Sequence, residues 1–248
     1  MNILLLDIET APNLVHVWGL WQQNVGLPQI LDAGYVMCWS AKWYGKDEVL
    51  FDSLYHNTQH NMLKRIWSLL DEADIVIHYN GSKFDIPTLN KEFITHGFTR
   101  PSPYKQIDLL STARNQFKFP SNKLDYIAKA LGLGQKVGHR GHQLWIDCMA
   151  RDGTAWNEMK EYNIHDCVLV ERLDDKLKFL EQVMALAYDA KVNYNDTLTT
   201  VRVWDTIIHN YLLNQNIVIP QFKKQNNFES LVGGYVKEPK VGLSKWVV

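Results

Sequence analysis

The sequence predicts an α/β fold in which helices and strands alternate after an early hairpin. The opening run at 2–6 is almost wholly apolar, which is typical of a central strand buried on both faces. Two aromatic or β-branched segments, 33–43 and 48–52, flank the turn-rich tetrapeptide 44–47 and indicate an antiparallel hairpin. From His60 onward the spacing of apolar residues alternates between helical and strand periods, which favours a sheet with helices packed on it.

Later elements are predicted from periodicity and from residues typical of helix ends. Pro87 lies in the first turn of one predicted helix and Gly132 closes another. The predicted bounds are 60–70, 85–96 and 123–131 for helices, 75–79 and 106–109 for strands, 156–186 for two successive helices and 199–212 for a last helix. The composition changes near residue 190. We therefore predict a first domain at 1–188 and a helical connector at 189–248.

The composition limits the class of protein. The chain has 248 residues, 46% hydrophobic and 21% charged, which is enough for one large domain with its own core. A net charge of −1 excludes a protein that holds nucleic acid through a broadly basic surface. The three cysteines form no C-x-x-C pair, so neither a disulfide framework nor a thiolate zinc site is indicated. Since neither a membrane-spanning stretch nor a signal peptide is visible, we expect a cytoplasmic protein without a membrane partner.

Two carboxylates end the opening strand. Asp7 and Glu9 face the same side because side chains alternate along a strand. Like charges at such close range resist joint ionisation unless a cation neutralises them. Carboxylate oxygens are the ligands that Mg²⁺ and Mn²⁺ prefer, so the pair is a candidate metal site. The alternative is a solvated pair at a strand end, because D-x-E is a common pattern.

Two further carboxylates belong to predicted helices. Asp85 follows the predicted strand at 75–79 and opens a helix, where it is either a metal ligand or a helix cap. Tyr162 and Asp166 are four residues apart in a predicted helix and therefore share one face. The alternative for this pair is a buried phenol hydrogen-bonded to the aspartate. Converging carboxylates can hold two divalent ions, which is the arrangement that phosphodiester hydrolysis needs.

The order of these motifs carries a family resemblance. D-x-E, then N-x3-F-D, then Y-x3-D resembles the DEDD superfamily of exonucleases, whose fold is ribonuclease-H-like (DnaQ-like). Tyr162 indicates the tyrosine variety, because Glu161 stands where the histidine variety carries its base. The segment YNGSKFD at 79–85 is most similar to the proofreading domain of B-family DNA polymerases. The resemblance covers about residues 1–188. It implies a mixed five-stranded sheet flanked by helices and removal of single nucleotides from a 3′ end.

The resemblance also implies a role for each motif residue. Asp7, Glu9 and Asp166 would ligate one divalent cation, Mg²⁺ or Mn²⁺, with Asp7 bridging to a second cation. Asp85 would hold the second cation, directly or through water. Tyr162, whose ordinary pKa is about 10, is better suited to orienting the attacking water than to deprotonating it.

We expect single-stranded DNA, or the frayed 3′ end of a duplex, as the partner. Thr10, Asn80 and Phe84 lie in or beside the motifs and are predicted to contact the DNA. Lys136 and Arg140 belong to a basic segment that either contacts the DNA backbone or is a solvated loop.

Three weaker patterns are open to other interpretations. Trp18 and Trp21 could stack on unpaired bases, although such residues more often pack against the core. The histidines of H-x2-H at 139–142, with Cys148, faintly resemble a zinc cluster but have no fourth ligand at a suitable spacing. Asp108 follows a predicted strand and is interpreted as structural, because four carboxylates complete the set without it.

The C-terminal segment 233–243 is similar to the connection between exonuclease and palm in B-family polymerases, and no palm motif follows before Val248. We therefore expect a fragment of a polymerase or a split subunit that pairs with a palm. A free-standing exonuclease of repair or phage metabolism is the main alternative. The others are a non-catalytic module that binds DNA or a partner, and an interface built on the stripe of Trp204, Ile208 and Leu212.

Overall fold

The α/β class and the mixed five-stranded sheet are confirmed by a computed structural model, which describes residues 1–22, 24–135, 137–193, 196–197 and 199–219. The strands are β1 (Ile3–Thr10), β2 (Leu14–Val15), β3 (Ile30–Asp32), β4 (Val36–Trp43), β5 (Val49–Ser53), β6 (Ile75–His78) and β7 (Lys105–Asp108). The helices are α1 (Gln59–Glu72), α2 (Asp85–Thr95), α3 (Leu109–Gln116), α4 (Leu124–Ala130), α5 (His142–Met149), α6 (Gly153–Leu177), α7 (Phe179–Ala190) and α8 (Thr200–Asn214).

The main sheet has the strand order β5-β4-β1-β6-β7. Strand β1 pairs with β4 in antiparallel orientation and with β6 in parallel orientation, and β7 is parallel to β6. The prediction of a central opening strand is confirmed, since Leu4 and Leu5 of β1 have no exposed surface. The carboxyl ends of parallel strands lie at one edge of a sheet. The ends of β1, β6 and β7 therefore bring the D-x-E pair, the segment 79–85 and Asp108 to the same edge.

Helices cover both faces of the sheet. Leu4, Leu6 and Ile8 of β1 pack with apolar residues of α1 and α2, whereas Leu5 packs with residues of α4, α6 and α7. This division follows from the strand period of two, which sends successive side chains to opposite faces. A third apolar cluster joins the face under α6 to α5. The long helix α6 thus lies on the side of β1 that also carries Asp7 and Glu9.

Helices α3 and α5 and the short strands β2 and β3 were not predicted from the sequence. Helix α3 begins directly after β7 because the Asp108 side chain accepts a hydrogen bond from the Leu110 N–H. Its eight residues, LLSTARNQ, span little more than two helical turns, which is too short for a clear helical period in the sequence. The two successive helices predicted over 156–186 are confirmed as α6 and α7. They separate at Lys178, which has a φ of 53°.

The predicted domain boundary lies close to the end of α7 at Ala190. The division into two domains stays a prediction. The segment 233–243, on which the resemblance to the polymerase connection rests, lies outside the described residues. Within the described ranges, no helix combines the length and apolar character that crossing a membrane requires.

Candidate metal centre

The carboxylate site is built on the end of β1. Asp7 and Glu9 lie on the same face of the strand, and the register with β4 places them opposite Ser40 and Cys38, respectively. The pairing becomes irregular between Glu9 and Thr10, where β1 leaves the sheet. Both carboxylate side chains are partly buried. The sequence-based prediction that they share one face is confirmed.

Helix α6 supplies the third carboxylate. Asp166 is 3% exposed and faces the sheet. One oxygen from each of Asp7, Glu9 and Asp166 lies within 4.8 Å of the others. Three carboxylates at this separation repel one another unless a cation lies between them, because each excess negative charge raises the free energy of the ionised cluster. Hard oxygen donors of this kind fit Mg²⁺ or Mn²⁺.

Asp85 reaches the same strand from the opposite layer. It is the first residue of α2 and not its N-cap, so the helix-cap alternative does not describe its position. Its Oδ1 accepts a 3.1 Å hydrogen bond from the backbone N–H of Ile8, the residue between Asp7 and Glu9. Burial raises the pKa of Asp85 to about 7, and the charge of Asp108 contributes in the same direction. Asp85 is not a member of the three-carboxylate group, and its predicted role at a second cation stays a prediction.

Tyr162 lies one helical turn before Asp166 and is 8% exposed. Its ring is packed edge-on against His139 and Trp145, with centroid distances of 4.9 Å and 6.1 Å. The segment that follows residue 136 and the start of α5 therefore fix the position of the phenol ring. The sequence did not indicate these two neighbours, because they come from separate elements.

Asn163 is a residue of the site that the sequence-based prediction missed. Its Nδ2 donates a 2.6 Å hydrogen bond to Oδ2 of Asp7, and its side chain has no exposed surface. It stands directly after Tyr162 inside the Y-x3-D motif, where the variable positions carry no signal of a polar contact. Only the packing of α6 on β1 brings this amide to the carboxylate.

The segment between β6 and α2 is held by Asp108. The Asp108 carboxylate accepts hydrogen bonds from the Asn80 N–H at 2.8 Å and from the Ser82 hydroxyl. It also caps α3, as described above. These contacts agree with the interpretation of Asp108 as structural. Asn80 itself has a φ of 69°, a backbone conformation that asparagine adopts more readily than most residues.

The residues predicted to contact DNA differ in their surroundings. Phe84 is 44% exposed at the start of α2, and Thr10 is partly buried at the end of β1. Arg140 forms ion pairs with Asp147 at 2.8 Å and with Glu158 at 2.9 Å, so its charge is balanced within the protein. Lys136 lies outside the described residues. Contacts between these side chains and DNA stay predictions.

The weaker sequence patterns have separate outcomes. Trp18 and Trp21 are 99% and 84% exposed, so the expectation that they pack against the core is wrong. Both rings lie in the segment between β2 and β3, and the described residues leave them uncovered. Among the described residues, His139, His142 and Cys148 form no metal-binding group. The three cysteines are free and buried, in agreement with the absence of a predicted disulfide framework.

Comparison with known proteins assigns the family. Residues 32–178 match the model of the RNase_H superfamily, which is more than half of the chain. The chain belongs to the RNase_H superfamily. The matched range includes Asp85, Tyr162 and Asp166 and begins after the D-x-E motif. The second and third motifs, N-x3-F-D and Y-x3-D, therefore lie inside the matched range, and D-x-E lies before it.

Relatives of this RNase_H-superfamily chain are polymerases. It is 28% identical over 243 residues to the DNA-directed DNA polymerase of Escherichia phage RB69, covering 95% of this chain and 23% of that protein. It is 34% identical over 87 residues to the DNA-directed DNA polymerase of Enterobacteria phage T4, covering 35% of this chain and 10% of that protein. The fold matches the family B DNA polymerase of the archaeon Pyrobaculum calidifontis with a TM-score of 0.65 at 14% identity. The match covers 90% of this chain and 30% of that protein.

These similarities confirm the resemblance to B-family DNA polymerases that the motifs predict. The chain spans less than a third of the length of each of these three polymerases.

Proposed function

We propose that this chain is a 3′-to-5′ exonuclease that removes nucleotides from the end of a DNA strand with two divalent cations, Mg²⁺ or Mn²⁺. The observation that carries the proposal is the convergence of carboxylate oxygens from Asp7, Glu9 and Asp166 to within 4.8 Å. A donor set made only of carboxylate oxygens suits these hard cations. Membership of the RNase_H superfamily and the similarity to DNA polymerases support DNA as the substrate.

In this proposal, four carboxylates bind the two cations and a tyrosine orients the attacking water. Asp7, Glu9 and Asp166 would hold one cation, and Asp85, together with Asp7, would hold the other. When bound, such cations make the attacking water more acidic and stabilise the leaving oxygen. Burial raises the pKa of the Asp85 carboxyl to about 7, and a nearby positive charge would favour its ionised form. Tyr162 orients the attacking water, and its ring is held in place by His139 and Trp145.

We further propose that the exonuclease works as the proofreading part of a B-family polymerase. The similarity to two phage polymerases supports this context. Helix α8 leaves Trp204 and Ile208 59% and 48% exposed, which suits a surface covered by a polymerase palm or a further subunit. A Trp204→Glu, Ile208→Glu double variant should keep its exonuclease activity and become more soluble than the wild type. Loss of solubility would argue that α8 belongs to the core of a free-standing enzyme.

The deciding experiment is digestion of single-stranded DNA labelled at its 5′ end, with Mg²⁺ or Mn²⁺. Wild type is compared with an Asp7→Ala, Glu9→Ala double variant. A metal-dependent ladder of progressively shorter labelled products, lost in the double variant, is the expected result. Release of the labelled nucleotide in the first step would mean the opposite direction of digestion. No ladder from a folded wild type would favour a non-catalytic module that binds DNA or a partner.

A further inference from the structure

Asn163 joins three elements of the site. Its side-chain Nδ2 donates to Oδ2 of Asp7 on β1 at 2.6 Å. Its backbone carbonyl accepts a 2.9 Å hydrogen bond from the hydroxyl of Ser40 on β4. Ser40 stands directly opposite Asp7 in the β1–β4 register. The contacts therefore close a ring from β1 to β4, from β4 to α6 and from α6 back to β1.

In the hydrogen bond between Asn163 and Asp7, the amide is the donor and the carboxylate is the acceptor. An amide N–H only donates, so it favours a carboxylate that accepts, which is the ionised form that a cation requires. The hydrogen bond also fixes one oxygen of Asp7 in space, and with it the plane of the carboxylate. A ligand held in this way loses less conformational freedom when a cation binds.

Folding stability alone does not account for the amide. Asn163 and Ser40 are fully buried, and Oδ1 of Asn163 has no hydrogen-bond partner within the described part of the chain. A buried acceptor without a partner costs free energy, which an apolar side chain of similar shape would avoid. The position therefore bears a cost that the contact to Asp7 explains.

We propose that Asn163 is a positioning residue that orients the Asp7 carboxylate for cation binding, an inference that rests on the proposed function. It acts through Asp7 and touches neither the cation nor the DNA. Ser40 has a lesser part, since its hydroxyl donates to the backbone carbonyl of Asn163 and so anchors α6 on β4. Substituting Asn163 should weaken cation binding in a protein that remains folded.

The test is an equilibrium titration of Mn²⁺ without DNA, followed by electron paramagnetic resonance of the free ion. Asn163→Leu removes the donor and keeps the approximate shape, and Asn163→Ala, which also has no side-chain donor, serves if the leucine variant does not fold. We expect Mn²⁺ affinity to fall by about 10- to 100-fold. The control is Asn157→Ala on the exposed side of the same helix, which should leave the affinity unchanged. Thermal unfolding in EDTA reports whether each variant is folded.

The outcomes separate the two proposals. Wild-type affinity in a folded Asn163→Leu or Asn163→Ala variant would overturn the positioning role and leave the exonuclease proposal intact. Equal losses in Ser40→Ala and Asn163→Leu would also overturn it, because they would make helix anchoring the cause. Failure of the wild type itself to bind millimolar Mn²⁺ would overturn the metal centre, and the positioning role with it.

Discussion

The Asp85 carboxylate accepts a 3.1 Å hydrogen bond from the backbone N–H of Ile8. Ile8 separates Asp7 from Glu9, so this bond ties α2 to the strand that carries two of the proposed ligands. The same burial that aligns Asp85 with β1 removes its carboxyl from water and raises its pKa to about 7. The second motif is thereby linked to the first by structure as well as by proposed function.

Asp85→Asn should stabilise the metal-free protein at pH 8. The ordinary pKa of 3.8 is raised to about 7 in the folded state, so between these values the folded protein holds a proton that the unfolded chain has released. The free energy of unfolding therefore falls as the pH rises through this window, by an amount on the order of a few kcal/mol. Asparagine carries no ionisable group and can still accept from Ile8.

Thermal unfolding in EDTA at pH 4, 6 and 8 checks this expectation. The advantage of Asp85→Asn over the wild type should grow from pH 4 to pH 8. With saturating Mn²⁺ the order should reverse, because the wild type gains a ligand that the variant lacks. A constant difference across the pH range would contradict the raised pKa of Asp85.

Asp166→Ala should reduce exonuclease activity more than Tyr162→Phe does. Removing a proposed cation ligand should cost several kcal/mol of transition-state stabilisation, about a thousandfold in kcat/KM. Tyr162→Phe keeps the ring between His139 and Trp145 and removes only the hydroxyl, which should cost about ten- to a hundredfold. Single-turnover digestion of labelled DNA measures both. Equal losses of activity in the two folded variants would contradict the separate roles of Asp166 in cation binding and of Tyr162 in orienting the water.

Gly81→Ala should destabilise the segment between β6 and α2. A Cβ at Gly81 would lie 2.4 Å from Cγ of His78, a side chain with no exposed surface. Relief of this overlap requires a shift of His78 or of the backbone that leads to Asp85, at a cost of about 1–3 kcal/mol. The matched control is Gly138→Ala, where a Cβ meets no heavy atom within 4 Å. Urea unfolding that gives equal stabilities for the two variants would show that the segment adapts freely.

The three cysteines should be unreactive in the folded protein. Burial raises the pKa of Cys38 and Cys167, and it raises the pKa of Cys148 to about 12 with help from the charge of Asp147. The thiolate is the reactive form, so at pH 8 each thiol should react about 100-fold more slowly with a disulfide reagent than in the unfolded chain. A colorimetric thiol assay with and without denaturant measures the ratio. One rapidly labelled cysteine would point to local opening.

Arg140→Ala tests the predicted DNA contact against the ion pairs that the structure gives this residue. Its side chain is bound by Asp147 and Glu158, which reduces the positive charge available to a phosphate. We expect a less than tenfold rise in KM for single-stranded DNA and little change in thermal stability, because exposed ion pairs contribute little. Arg114→Ala on α3 is the control, as Arg114 is also exposed. A larger effect of Arg140→Ala would support direct phosphate binding.

The sequence by itself determined the fold class and the carboxylates. The apolar run before Asp7 predicts a central strand because no solvent-exposed strand tolerates so many consecutive apolar residues. The period of two along that strand is sufficient to place Asp7 and Glu9 on one face. The spacing of four between Tyr162 and Asp166 does the same on a helix. These relations are local, and backbone geometry alone fixes them.

Only the tertiary structure decided the contacts between elements. The bond from Asn163 to Asp7 joins residues 156 positions apart, and the bond from Ile8 to Asp85 joins residues 77 positions apart. Such pairs depend on how α6 and α2 lie on the sheet, which is set by the packing of many apolar side chains and leaves no periodic trace in the chain. The exposure of Trp18 and the pKa of Asp85 follow from the same cause, because burial is a property of the assembled layers.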